Sequence, residues 1–224
     1  MAEQTVLTPR RYCQTTEDDI IDGLLLRLGL LPGRGLAVEI GAGDGRTLSN
    51  TRHLSERYGW KIIQIDGNPK YAASRYQVHV AFITAENVNA VLDECHVPPT
   101  FGVMSLDIDG NDWWVWRAID RLPAVVCVEF NGACPPGESL SVRYDPEFRH
   151  QPGDYYGASF AAMVELGRLK GYRCVGHVHS LNAFFVLNSL ADAAGISADD
   201  TVPEQRHYHP YREGEWVNPF EEPR

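Results

Sequence analysis

Polar side chains two residues apart close two β-type runs of this chain. One run is Ser105-Leu106-Asp107-Ile108-Asp109-Gly110, and the other is Val126-Cys127-Val128-Glu129-Phe130-Asn131. Residues i and i+2 of a strand face the same side, so Asp107 pairs with Asp109 and Glu129 with Asn131. Neighbouring strand tips lie about 5 Å apart, so all four side chains are expected to converge. Two carboxylates at the end of a buried strand are unfavourable unless they are paired, metal-bound or catalytic. Such a group can take the proton of a substrate hydroxyl or hold a substrate amine. It can also bind a divalent cation through oxygens of Asp107, Glu129 and Asn131. We favour the base or substrate-binding role over a metal. The plainer alternative is that Asp109 caps the next helix and only Asp107 reaches a pocket.

A second constellation lies upstream, in Val38-Glu39-Ile40-Gly41-Ala42-Gly43-Asp44-Gly45. It follows a β-type run and precedes a helical stretch. Glycines there let the chain turn sharply and bring bare backbone close to a ligand. Asp66 ends the next β-type run, 21 residues after Gly45, and is followed by Gly67-Asn68-Pro69. An acid at that spacing can accept both ribose hydroxyls of a nucleoside laid across the strand tips. A dinucleotide loop reads G-x-G-x-x-G, whereas this one reads E-x-G-x-G-x-G, with Leu48 where a third glycine would have to serve. Glu39 and Asp44 would repel a diphosphate and suit a zwitterionic amino-acid ligand. The loop therefore favours S-adenosylmethionine (SAM) over NAD.

These residues resemble class I SAM-dependent methyltransferases. Glu39 to Gly45 looks like the first motif of that family, and Asp66 like its ribose-binding acid. Thr84-Ala85-Glu86-Asn87 stands where the family usually contacts adenine, although a helix N-cap explains those residues equally well. Leu106-Asp107-Ile108-Asp109-Gly110-Asn111-Asp112-Trp113, with the run that carries Glu129, is similar to the FkbM-like members, which read I-D-x-E-G at this place. The resemblance covers roughly residues 36–130. The chain departs from it in Asp109, in the Trp113-Trp114-Val115-Trp116 run and in residues 131–156. Asp107 and Glu129 also stand in places like two metal ligands of catechol-type O-methyltransferases. The resemblance implies SAM as cofactor and methyl transfer to a small molecule, at oxygen or nitrogen, of natural-product type. The expected SAM contacts are Glu39, Gly41, Ala42, Gly43, Asp44, Gly45, Asp66, Gly67, Asn68, Ala85, Glu86 and Asp107.

Two other readings stay open. The Trp-rich helix and a long connecting segment would suit an enzyme that moves the aminocarboxypropyl arm of SAM or cyclises it. A non-catalytic SAM-binding module is the third reading, because fold alone proves no activity. Aromatic faces attract a sulfonium or ammonium cation, which makes Tyr155 and Tyr156 candidates beside Asp107, Asp109, Glu129 and Asn131. Trp113 and Trp114 fit core packing better. His177 and His179, and again His207 and His209, form H-x-H pairs without a third ligand spaced nearby, and read as edge or surface histidines. Arg10 and Arg11 read as part of a solvated arm.

The elements that must position these residues alternate along the chain. Strand candidates fall at 35–40, 61–66, 78–83, 101–108, 124–130, 172–178 and 183–188, and helix candidates at 46–58, 69–76, 86–95, 112–121 and 157–170. That alternation predicts an α/β, Rossmann-like, seven-stranded, mostly parallel sheet with helices on both faces, in a single domain. The last two strands are expected to pair antiparallel at one edge. Residues 1–33 read as an N-terminal helical extension, 34–195 as the SAM-binding domain and 196–224 as a tail. Residues 131–156, rich in Gly and Pro, read as a lid.

Composition bounds the rest. The chain has 224 residues with a formal net charge of −10, which disfavours nucleic acid and anionic membranes as partners. Its five cysteines form no C-x-x-C pair, so neither zinc nor a disulfide framework is signalled. No secretory h-region opens the chain, and no apolar run approaches the ~20 residues of a membrane span. A cytoplasmic monomer or homodimer is expected.

Overall fold

The computed structural model describes residues 12–135, 137–206 and 214–222. Helix α1 (Glu17–Arg27) leads into β1 (Leu36–Ile40), α2 (Arg52–Tyr58), β2 (Lys61–Asp66), a 3₁₀ turn (Pro69–Ala73) and β3 (His79–Val80). Then come α3 (Val88–Glu94), β4 (Thr100–Leu106), α4 (Asp112–Ala118), β5 (Leu122–Glu129) and the short β6 (Ser141–Val142). The chain finishes with α5 (Phe160–Leu169), β7 (Tyr172–Val178), β8 (Asn182–Leu187), α6 (Asn188–Ala193) and β9 (Trp216–Val217).

Seven strands form one sheet in the order β3-β2-β1-β4-β5-β8-β7. Strands β1 to β5 run parallel, and β8 lies antiparallel between β5 and β7. The expected α/β architecture is therefore present, with the late antiparallel pair at one edge. Near-continuous apolar runs such as Ala124–Val128 suit a strand covered on both faces, and Val125 to Val128 are fully buried.

One face packs on α3, α4 and α5, through Val91, Leu92, Trp113, Trp116, Met163 and Leu166. The other packs on α1, α2 and α6, through Ile21, Leu24, Leu25, Leu54 and Ala191. Ile21, Leu24 and Leu25 have the i, i+3, i+4 spacing of one helical stripe. Helix α1 is thus a layer of the sandwich and not an appendage.

Several elements are shorter than the pattern suggested. The stretch expected as a helix from residue 46 forms α2 only from Arg52. The reason is local: Leu48 takes a left-handed φ of +60°, which no right-handed helix can include. Glu39 holds the stretch after it, accepting from Asn50 N and Thr51 Oγ1. Residues 131–156 form no free flap. Their strand β6 pairs with β9 of the tail, Ser141 with Val217 and Val142 with Trp216.

Candidate functional site

A cavity of about 610 Å³ opens at the carboxyl ends of β1, β2 and β4, the edge where open α/β sheets bind ligands. Its walls include Gly41, Gly43, Asp66, Asn68, Phe82, Asp107, Asp109 and Arg149. The volume suits a nucleoside-sized ligand.

The glycine loop is built for close approach. Gly41 has φ +89°, and a Cβ on it would lie 1.5 Å from the carbonyl oxygen of Asp107. Gly45 has φ +81°, and its Cβ would meet Gln64 Oε1 at 2.7 Å. At Gly41 no other residue type fits without moving the backbone, and at Gly45 a side chain would add a left-handed φ to crowding against Gln64, Tyr76 and Val78. Asp66 joins the loop to its neighbour strand. Its Oδ2 accepts from Gly43 N at 2.7 Å and its Oδ1 from Asn68 N at 2.8 Å. The loop and the acid therefore share one cleft.

Not every expected cofactor contact reaches that cleft. Glu39 is buried, and its carboxylate accepts from Ser49 Oγ at 2.6 Å, Asn50 N at 2.7 Å, Gln64 Nε2 at 2.8 Å and Thr51 Oγ1 at 2.9 Å. It holds the loop from behind and is absent from the cavity wall. Asp44 is occupied by Arg46 and Thr47, and Ala42 and Gly45 also stay out of the wall. Ala85 and Glu86 line a separate groove with Trp114, Arg117 and Tyr144. Thr84 and Asn87 exchange hydrogen bonds, Thr84 N to Asn87 Oδ1 and Asn87 N to Thr84 Oγ1, which is the N-cap alternative. The wall beside Asp66 is made instead by Ala81, Phe82 and Ile83.

The acids at the other end converge, by a route that strand alternation did not anticipate. Strand β4 ends at Leu106, so Asp107 and Asp109 share no strand face. Asp109 adopts φ +53°, which swings it back toward Asp107. One carboxylate oxygen from each of Asp107, Asp109 and Glu129 lies within 4.8 Å of the others. The turn is closed by Asp112, whose carboxylate accepts from Ile108 N at 2.8 Å and Gly110 N at 2.9 Å. Asp112, the first residue of α4, therefore ties the turn from behind, and no side chain caps the helix at Asn111. Burial lifts the Asp112 carboxyl to about 6.

Electrostatics single out the same group. Burial, together with the charges of Asp109 and Asp112, pushes the Asp107 carboxyl up to about 8. Glu129 is pushed far above the carboxylate range, first by burial and then by Asp107. Glu129 Oε2 is buried without a hydrogen-bond partner among the described residues, so burial and the neighbouring acids both favour the protonated form. Perturbed acids in a cleft mark functional sites more often than scaffolds. Oxygens of Asp107, Asp109 and Glu129 are also the set that could hold a divalent cation.

Asn131 does not join them. Its Nδ2 donates to Asp154 O at 2.7 Å and Tyr156 O at 2.9 Å, and its Oδ1 accepts from Ala133 N at 2.9 Å. Both its amide hydrogens anchor the 131–156 segment, and the three carboxylates that approach one another are those of Asp107, Asp109 and Glu129. Tyr155 also points elsewhere. Its hydroxyl donates to Glu215 O at 2.8 Å and its ring packs on Trp216. Tyr156 lies beside the acids. Burial and the charge of Glu129 raise its phenol, and its hydroxyl accepts from Arg206 Nη2 at 2.8 Å. Arg206 belongs to the tail, and no local pattern in the sequence connects it to residue 156.

Trp113 and Trp116 are 1% exposed and Trp114 7%, so they are core. Trp113 Nε1 donates to Ala162 O and Trp114 Nε1 to Val142 O. His177 packs edge-on against Phe130 and Phe160. His207, His209, Arg10 and Arg11 lie outside the described residues.

No protein-family profile matches the chain, and no curated protein does. Among solved structures, a SAM-dependent methyltransferase from Aquifex aeolicus is similar at 12% identity, over 77% of this chain and 92% of that one, with a TM-score of 0.39. At that level of similarity the function has to be read from this chain's own residues.

Proposed function

We propose that the chain is a SAM-dependent methyltransferase acting on a small molecule, at oxygen or nitrogen. The observation that carries this reading is one cleft with two ends. The Gly41–Gly45 turn and Asp66 share a hydrogen bond at one end, and Asp107 and Asp109 line the other.

SAM supplies an electrophilic methyl group on a sulfonium, which leaves as a thioether. The chain's own work is alignment and proton removal. Asp66 accepts the ribose hydroxyls, and the bare backbone at Gly41 and Gly43 lets the aminoacyl end lie close to the strand tips. The acceptor enters beside Asp109, and its nucleophilic atom is held in line with the methyl carbon. Its proton passes to the Asp107–Asp109–Glu129 group. A carboxyl whose pKa lies near working pH both accepts and releases a proton readily, and Asp107 is such a group.

Trp113, Trp114 and Trp116 are buried, which weighs against an aromatic-lined pocket for cyclisation or aminocarboxypropyl transfer. The strained, mutually repelling acids weigh against an inert binding module, since they destabilise the fold unless chemistry uses them. The net charge of −10 favours a small-molecule acceptor over nucleic acid, and the FkbM-like resemblance suggests one of natural-product type. No helix among the described residues is long and apolar enough to cross a membrane. With five free cysteines, a cytoplasmic monomer or homodimer fits best. Isothermal titration with SAM tests the reading, and absence of binding at millimolar SAM ends it.

A further inference from the structure

Resting on the methyltransferase reading, we infer that the methyl acceptor is an amine, held as its ammonium by the carboxylates of Asp107 and Asp109 and the side-chain oxygen of Asn111.

The observation that calls for a donor is at Asn111. It precedes α4 at the position where an asparagine ordinarily caps a helix with its side-chain oxygen, yet it makes no such bond. Its Nδ2 donates to Asp145 O at 2.7 Å, and only the nitrogen end of an amide serves a carbonyl, so the orientation of the group is fixed. Its Oδ1 is buried and has no hydrogen-bond partner among the described residues. Asn111 is 3% exposed and stands in the cleft wall with Asp107 and Asp109. A buried carbonyl oxygen without a donor is unfavourable, and a ligand in the cleft supplies one.

The turn presents acceptors and withholds donors. Asp112 takes up the N–H groups of Ile108 and Gly110. The side chains left toward the cleft are the oxygen-bearing ones of Asp107, Asp109 and Asn111, and Glu129 joins the two acids from outside the wall. One oxygen from each acid lies within 4.8 Å of the others, so their charges oppose one another until a cation or a proton enters. The cation in the wall, Arg149, is engaged elsewhere. Its Cζ lies 3.4 Å from the Phe82 ring centroid, and its Nη1 donates to the carbonyls of Glu147 and Phe148, each at 3.0 Å. An ammonium brings a charge and several donors and no acceptor, whereas a hydroxyl brings one donor and turns its lone pairs toward these oxygens. The site therefore suits an amine better than an alcohol.

The step balances with the residues present. One ammonium proton passes to the acid cluster, and the freed nitrogen lone pair attacks the methyl carbon. The carbon–sulfur bond breaks with its electron pair left on sulfur as a thioether. The methylated amine departs as an ammonium, and the cluster returns its proton to solvent.

The test uses the full chain, with and without S-adenosylhomocysteine, and measures binding of benzylamine and ethylamine against benzyl alcohol and ethanol by NMR titration. Each amine is expected to bind about tenfold or more tighter than its alcohol. Asp109 is exposed, and asparagine tolerates its φ of +53°, so Asp109→Asn keeps the fold, which circular dichroism verifies. Asp109→Asn and Asn111→Leu are each expected to remove most of the preference for amines and to leave the alcohols unchanged. Asn111→Asp gives up the same anchor to Asp145 O but keeps an oxygen, and is expected to retain the preference. Amine and alcohol affinities within twofold in the wild type overturn the inference, as does a preference that survives both Asp109→Asn and Asn111→Leu. Displacement of the amine by S-adenosylhomocysteine assigns the site to the cofactor's own amino group and also overturns it. A preference that behaves as expected in a chain that binds neither S-adenosylhomocysteine nor SAM upholds the ammonium site and overturns the methyltransferase reading.

Discussion

The carbonyl oxygen of Asp107 occupies the space in which a Cβ of residue 41 would sit, 1.5 Å from that position. The glycine loop and the acid cluster are therefore one mechanical unit. Asp107 N donates to Ile40 O at 3.0 Å, so the two strand ends are tied by backbone as well as by shape.

A methyl group at that point should be poorly tolerated. Gly41→Ala combines a φ of +89° with a backbone collision that no rotamer change relieves. We expect a loss of about 3 kcal/mol or more and loss of SAM binding, read by urea unfolding and calorimetry. A stable variant with intact affinity would show that the loop has slack that its geometry does not display.

The acids should set the pH dependence. Proton acceptance at the cluster predicts turnover that rises with pH on an apparent pKa near 8, the value to which Asp107 is raised. Stability should move the other way. A raised carboxyl pKa means that the folded state binds the proton more tightly than the unfolded one. Stability from Asp107 is thus full below its ordinary value near 3.8 and declines as pH rises to about 8. Asp107→Asn should flatten that decline, and Asp109→Asn and Glu129→Gln should cut kcat about 10²-fold or more. If a base role suffices, EDTA leaves turnover unchanged within twofold. A chelator-sensitive enzyme restored by Mg²⁺ would move the cluster to metal chemistry.

A separate buried network should hold α1 on the sheet. His53 is fully buried, with Nδ1 3.1 Å from Asp18 and Nε2 3.1 Å from Asp22. Burial opposes its charge, but the adjacent Asp18 and Asp22 carboxylates outweigh it, and its pKa is raised. The stabilisation is complete below the ordinary histidine value near 6.5 and is lost as pH rises through the folded value. His53→Gln leaves Asp18 and Asp22 with Arg57 still paired to both and should cost about 1–3 kcal/mol near pH 6. A urea midpoint that shifts equally at pH 6 and pH 9 would refute the ionic account.

Asn131 should act through position alone. Asn131→Ala frees the carbonyls of Asp154 and Tyr156 and the N–H of Ala133, at about 1–3 kcal/mol. Tyr156 would lose its placement beside Glu129, so the KM for the acceptor should rise while the affinity for SAM holds. A fall in kcat with unchanged KM would instead mean that Asn131 works at the reacting atoms.

What the sequence determined by itself was periodic or local. The alternation of apolar β runs and helical stretches specified the parallel sheet, because burial on both faces leaves a continuous apolar signature. Gly41, Gly43 and Asp66 were legible because a turn and the next strand tip lie a fixed chain length apart. The tertiary structure decided which polar side chains face the cleft. Glu39 and Asn131 carry functional-looking chemistry, yet each satisfies its hydrogen bonds inside the fold. Asp109 joins Asp107 only because its backbone takes a left-handed φ. Phe82, Arg149 and Arg206 meet their partners across long stretches of chain, where no spacing rule operates. Hydrogen-bond competition among buried polar groups is settled by three-dimensional packing, and a one-dimensional pattern carries no record of its outcome.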